Sequence, residues 1–135
     1  MRSLAPAALL ATAALAAGGC GAAQTNSSSK FKGEQGQVAK VVDDLSSAGQ
    51  HKDAAKICNN ILSKSLVAQL KAAGGDCQQE MKKAIDDADS YDLQVQSVTI
   101  NGNQAQAKVR QGTKGPFATF EFVKESGGWR ATSLG

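Results

Sequence analysis

Leu93-Gln94-Val95-Gln96-Ser97-Val98-Thr99-Ile100-Asn101-Gly102-Asn103-Gln104-Ala105-Gln106-Ala107-Lys108-Val109-Arg110 decides the reading of the chain. Apolar and polar residues alternate from Leu93 to Gln96, as they do in a strand with one buried face. The alternation slips at Ser97 and resumes with Val98-Thr99-Ile100, so a β-bulge near Gln96-Ser97 returns Leu93, Val95, Val98 and Ile100 to a single face. Asn101-Gly102 is a pair that tolerates positive φ and predicts a tight hairpin. The return strand runs from Gln104 to Arg110 with Ala105, Ala107 and Val109 inward.

Turn chemistry follows at Gln111 to Pro116, then a strand from Phe117 to Val123 with Phe120 and Phe122 on one face. Glu125-Ser126-Gly127-Gly128 turns the chain into a last strand, Trp129 to Leu134. With all three connections short, the expected topology is an antiparallel meander. Small Ala105 and Ala107 beside bulky Phe120 and Phe122 suggest that it is curved.

Upstream, the periodicity is helical. Val38, Val41, Val42 and Leu45 form an apolar stripe over Glu34–Ala48, with Gly49 as the expected C-terminal cap. A second helix is expected over Asp53–Leu62, and a shorter helical stretch over Ser65–Ala73 before Gly74-Gly75. Asp76, three residues before Gln79, has capping-box spacing for a final helix reaching Ala88. Helices first and an uninterrupted sheet afterwards make an α+β domain with helices on one side.

The chain of 135 residues holds one such domain, and its beginning does not belong to it. Met1-Arg2-Ser3 is a short basic opening, Leu4–Ala17 is rich in Ala and Leu, and Gly18-Gly19-Cys20 ends the run, the pattern of a secretory signal. That ending resembles a bacterial lipobox, with Gly18 and Gly19 before a Cys20 that would carry lipid. Ala17 stands where Leu is usual, so a conventional cleavage and a secreted product is the alternative. The expected divisions are a signal peptide at 1–19, lipidated Cys20 with a polar, flexible linker to Gly33, and the α+β domain over 34–135.

Three cysteines in an exported protein leave one unpaired unless Cys20 is otherwise used. Cys58 and Cys77 are then an even pair in an oxidising compartment, where a disulfide is expected. The formal charge of +3 falls to +2 if Arg2 leaves with the signal, and the lysines are interspersed with acids. Without a basic stripe or interleaved aromatics, nucleic-acid binding is excluded from the candidate functions.

Helices followed by a meander that closes on Val123-Lys124-Glu125-Ser126-Gly127-Gly128-Trp129-Arg130 resemble the nuclear-transport-factor-2-like (cystatin-like α+β) superfamily, in particular its small bacterial exported lipoproteins. Those proteins often carry one cysteine after a Gly/Asp-containing turn, as in Gly49 to Cys58, and another opening the last helix, as Cys77 does. The resemblance covers residues 34–135 and implies a cone with a pocket between sheet and helices. It implies little about activity.

Superfamily enzymes of the isomerase and dehydratase type use an Asp or an Asp-His pair inside the cone. The sole histidine, His51, lies in a polar turn, and Glu121 points away from Phe120 and Phe122. Asp86-Asp87-Ala88-Asp89-Ser90-Tyr91-Asp92 lacks the Gly and terminal Glu of a calcium loop. It reads as a solvated helix end. No catalytic residue, metal or cofactor is therefore expected. The large side chains able to line a pocket are Tyr91, Phe120, Phe122 and Trp129, although one-face aromatics are also ordinary core. The expectation is a membrane-anchored, extracytoplasmic binding domain, with a small apolar ligand in the cone. An envelope protein-interaction module with a filled core is the alternative, and an enzyme of the isomerase or dehydratase type the third.

Overall fold

The computed structural model describes residues 27–135. Residues 1–26, and with them the expected signal peptide and Cys20, lie outside the described residues.

The meander is present as expected. Strands β1 (Leu93–Asn101), β2 (Gln104–Gln111), β3 (Phe117–Glu125) and β4 (Gly128–Leu134) form one antiparallel sheet in chain order. Gly102 adopts φ +60° in the first turn, the left-handed conformation that a tight hairpin requires. The β1–β2 register shifts between Val95 and Ser97, leaving Gln96 as the bulged residue. Val95 and Val98 are consequently both buried, whereas strict alternation would expose one of them. Ala105 pairs with Phe122 and Ala107 with Phe120, so small residues make room for large ones on the inner face. A second shift opposes Ser133 to Glu121 and Ala131 to Phe122, leaving Thr132 as an extra residue in β4. The sequence gives no sign of it.

Four α-helical segments cover the inner face: α1 (Gly33–Gln50), α2 (Ala54–Lys56), α3 (Lys64–Ala72) and α4 (Cys77–Asp87). In α1, Val38, Ala39 and Val42 are fully buried against the sheet, with Val41 and Leu45 half-buried beside them. The cap expected at Gly49 falls later. Lys52 takes φ +54°, its N–H donating to Gly49 O at 3.1 Å, while Asp53 N–H reaches Ala48 O at 2.8 Å.

The helix expected over Asp53–Leu62 is α2, N-capped by Asp53, followed by a π-helical turn at Ile57–Ile61. Leu62 N–H bonds Ile57 O at 2.9 Å, which ends the turn. The chain then extends alongside β4, where Ser63 N–H donates to Ala131 O at 2.8 Å. Asp76 caps α4 through Gln79 N–H at 3.1 Å, as its spacing implies.

The reading of the linker needs correction. Ser27–Lys30 forms a 3-10 turn whose first residue is buried in the domain. Asp43 of α1 accepts the backbone N–H groups of Ser27 and Ser28, each at 2.9 Å. Ser27 Oγ in turn accepts Val95 N–H at 2.9 Å. Together with Gln35 Nε2 on Val98 O at 3.0 Å, this occupies backbone groups on the free edge of β1. An edge strand covered in this way is a poor template for pairing with a second chain.

Candidate functional site

Cys58 and Cys77 are joined, with Sγ atoms 2.01 Å and Cα atoms 6.1 Å apart. The bond fastens the π-helical turn to the first residue of α4. At the other end of α4, the Tyr91 hydroxyl donates to Ile85 O, and Ile85 is that helix's one buried residue.

Between α1, α4 and the inner face of the sheet lies a cavity of about 310 Å³. Leu45, Ile57 and Ile85 line it from the helices, and Leu93, Val109 and Phe120 from the sheet. Its volume lies at the small end of the range for small-molecule sites. Gly49, on α1, also lines it, and the Tyr91 ring packs so closely there that a Cβ at this position would stand 3.0 Å from Tyr91 Cδ1. That contact accounts for a glycine the sequence reading assigned to helix termination.

Four polar side chains border the space. Ser46 Oγ donates to Tyr91 O and accepts Leu93 N–H at 3.3 Å, so its proton is committed. The Tyr91 hydroxyl proton is committed to Ile85. Gln111 donates through Nε2 to Ser90 O at 2.6 Å, and Ser90 Oγ accepts Asp92 N–H at 3.2 Å. The lining contains no Asp, Glu, His, Lys or Arg side chain.

Of the four aromatic candidates, Tyr91 and Phe120 line this cavity, whereas Phe122 and Trp129 do not. Inward side chains recur about 6.8 Å apart along a strand, so Phe122 lies one step beyond Phe120, opposite Ala105 and Ala131. There it is core, 2% exposed. Trp129 is buried at the β3–β4 hairpin, where Lys124 lies 5.6 Å from its ring centroid and pairs with Glu34 of α1. Sequence reasoning missed Gln111 and Ser90. For Gln111 the signal was available, since it continues the inward series Ala105, Ala107, Val109.

The other expected positions are at the surface. His51 is exposed, with Nδ1 2.8 Å from Ser47 O. Asp86, Asp87 and Asp89 are exposed, with Lys52 3.8 Å from Asp86. Glu121 is exposed on the outer face. Phe117 is the large apolar side chain left exposed among the described residues, with Lys108 and Arg110 4.8 and 5.2 Å from its ring centroid. Among the described residues no helix is long and apolar enough to cross a membrane.

In comparisons with protein-family models, curated proteins and solved structures, nothing matches the chain.

Proposed function

We propose that this is an exported, membrane-tethered binding protein that holds a small apolar ligand between its helices and its sheet. The observation that carries the reading is the cavity of about 310 Å³ with an aliphatic and aromatic lining and no charged side chain. A carrier needs such unfilled apolar space, whereas a protein-interaction module would have it packed shut and would display an apolar patch elsewhere. Among the described residues, one exposed phenylalanine with cations against its ring is a small patch by that standard.

General acid–base catalysis requires a titratable group within hydrogen-bond reach of the substrate. Here the only ionisable side chain in the lining is Tyr91, whose hydroxyl proton is engaged by Ile85. Binding without turnover is therefore the reading the site supports best. Helices before a four-stranded meander, with the cavity between them, fit a nuclear-transport-factor-2-like cone. The lipobox-like Gly18-Gly19-Cys20 supplies the anchor. The Cys58–Cys77 bond accords with an oxidising, extracytoplasmic location.

Native mass spectrometry of the protein recovered from an oxidising, exported preparation tests this reading. The expected result is extra mass that persists natively and is lost on denaturation. It should be absent from Ala118→Phe, which places a ring in the cavity. A bare parent that also takes up no apolar probe would overturn the carrier reading.

A further inference from the structure

The polar groups at the cavity define which apolar molecules it suits, an inference that rests on the carrier reading above. An anionic head group would find no Lys, Arg or His in the lining, and a charge taken out of water without a partner is strongly disfavoured. The charges nearby reinforce this. Asp86, Asp87 and Asp89 lie in the segment leading to Ser90 and are exposed, and Asp92 follows it, accepting Gln94 Nε2 at 3.2 Å. On the hairpin side, Arg110 spends Nε on Gly115 O at 3.2 Å, and Lys114 is exposed.

Unused hydrogen-bonding capacity remains where Gln111 and Ser90 meet at the lining. Gln111 donates to Ser90 O through Nε2, which leaves Oε1 as an acceptor. Ser90 Oγ accepts Asp92 N–H, which leaves its proton to donate. Both residues belong to the same polar corner of an otherwise apolar space. One acceptor and one donor together are the complement of a hydroxyl, which donates and accepts through a single atom.

We infer that the cavity takes a neutral amphiphile, an apolar body carrying a hydroxyl that donates to Gln111 Oε1 and accepts from Ser90 Oγ, and that it discriminates against the corresponding carboxylate.

The test is a competition series at neutral pH with decanol, methyl decanoate and decanoate, each displacing the fluorescent probe N-phenyl-naphthylamine. It uses the exported Cys20→Ser protein, so that no acyl anchor calls for detergent. Decanol should bind about tenfold or more tighter than decanoate, as expected for a charge left unpaired in an apolar site. Gln111→Leu removes the acceptor and should weaken decanol roughly fivefold, the worth of one hydrogen bond. It should leave methyl decanoate, which has no proton to donate, unchanged. Ser90→Ala keeps the carbonyl that holds Gln111 and should weaken both neutral ligands, because both accept from the hydroxyl; it also serves if Gln111→Leu does not fold. Decanoate binding as tightly as decanol would overturn the proposed ligand class while leaving the cavity reading intact, as would a Gln111→Leu variant that shifts all three ligands equally. Failure of the probe and of every ligand to bind would overturn the cavity reading itself, and this inference with it.

Discussion

The hydroxyl of Tyr91 donates to the carbonyl oxygen of Ile85, which joins the loop before β1 to the last turn of α4. Helix C-terminal carbonyls lack intrahelical partners, and Asp86 and Asp87 at this end oppose the helix dipole. The phenol therefore holds down an end that its own sequence disfavours. Tyr91→Phe should keep the ring against Gly49 and lose about 1 kcal/mol of stability by chemical denaturation. Amide exchange should accelerate at residues 85–88. Unchanged exchange there would mean that packing alone holds the cavity's outer wall.

The Cys58–Cys77 bond closes a loop with a sequence separation of 19. In the chain-entropy model such a crosslink contributes about 3 kcal/mol. The double variant Cys58→Ala/Cys77→Ala should melt about 10 °C or more below the parent, since a domain of this size moves several degrees per kcal/mol. The parent in reductant should fall toward the variant. Equal melting temperatures in oxidant and reductant would contradict this account.

Trp129, one of the side chains able to line a pocket or to serve as core, is buried away from the cavity, with its Nε1–H unpartnered. A buried donor without an acceptor forfeits part of what its burial contributes. Trp129→Phe removes that donor together with some packing volume. It should cost less than the 3–5 kcal/mol typical of truncating a buried Trp to Ala, and should leave ligand affinity unchanged because the residue does not line the cavity. A loss of affinity with stability retained would place Trp129 in the binding path.

The meander was legible because its signals are local: alternation, a bulge marked by one slipped residue, and Asn101-Gly102 at the turn. The Asp76 cap was legible for the same reason. What the sequence concealed depends on partners far along the chain. Gly49 reads as a helix terminator until Tyr91 is seen against it, 42 residues away by the numbering (91 − 49). Phe120 and Phe122 are equivalent by alternation, and only the position of α4 over one end of the sheet gives the cavity to Phe120. The π-helical turn at Ile57–Ile61 carries no periodic signature either, because it occupies a single turn.

The anchoring proposed above would depend on Cys20, which precedes the described residues. If Gly18-Gly19-Cys20 is processed as a lipobox, Cys20→Ser should move the protein from the membrane fraction to the soluble fraction, and the parent should carry acyl mass on its N-terminal peptide. A parent without acyl mass, already soluble, would establish the secreted alternative. The folded domain's ligand preference should be the same in either case, since among the described residues none before Leu45 lines the cavity.

Ser27 falls in a stretch whose composition reads as a flexible linker, yet it is 1% exposed and is held from two sides. Its N–H goes to Asp43 and its Oγ accepts from Val95. Nothing periodic marks it, because a serine in a run of Ser and Asn reads as linker until Asp43, on another element, is brought to it. Asp43→Ala would leave the N–H groups of Ser27 and Ser28 without their acceptor, at a cost of about 1–3 kcal/mol for each one that stays buried. Asp43→Asn keeps an acceptor oxygen and should cost less. Ser27→Ala should cost about 1 kcal/mol through Val95 N–H and should raise amide exchange along β1. A chain beginning at Glu34, the boundary expected from composition, lacks the whole turn and uncovers that edge. It should be less stable than either point variant and should associate more readily at high concentration, as sedimentation velocity would register. If the shortened chain matches the parent in stability and remains monomeric, the turn is an appendage and the domain does begin near residue 34.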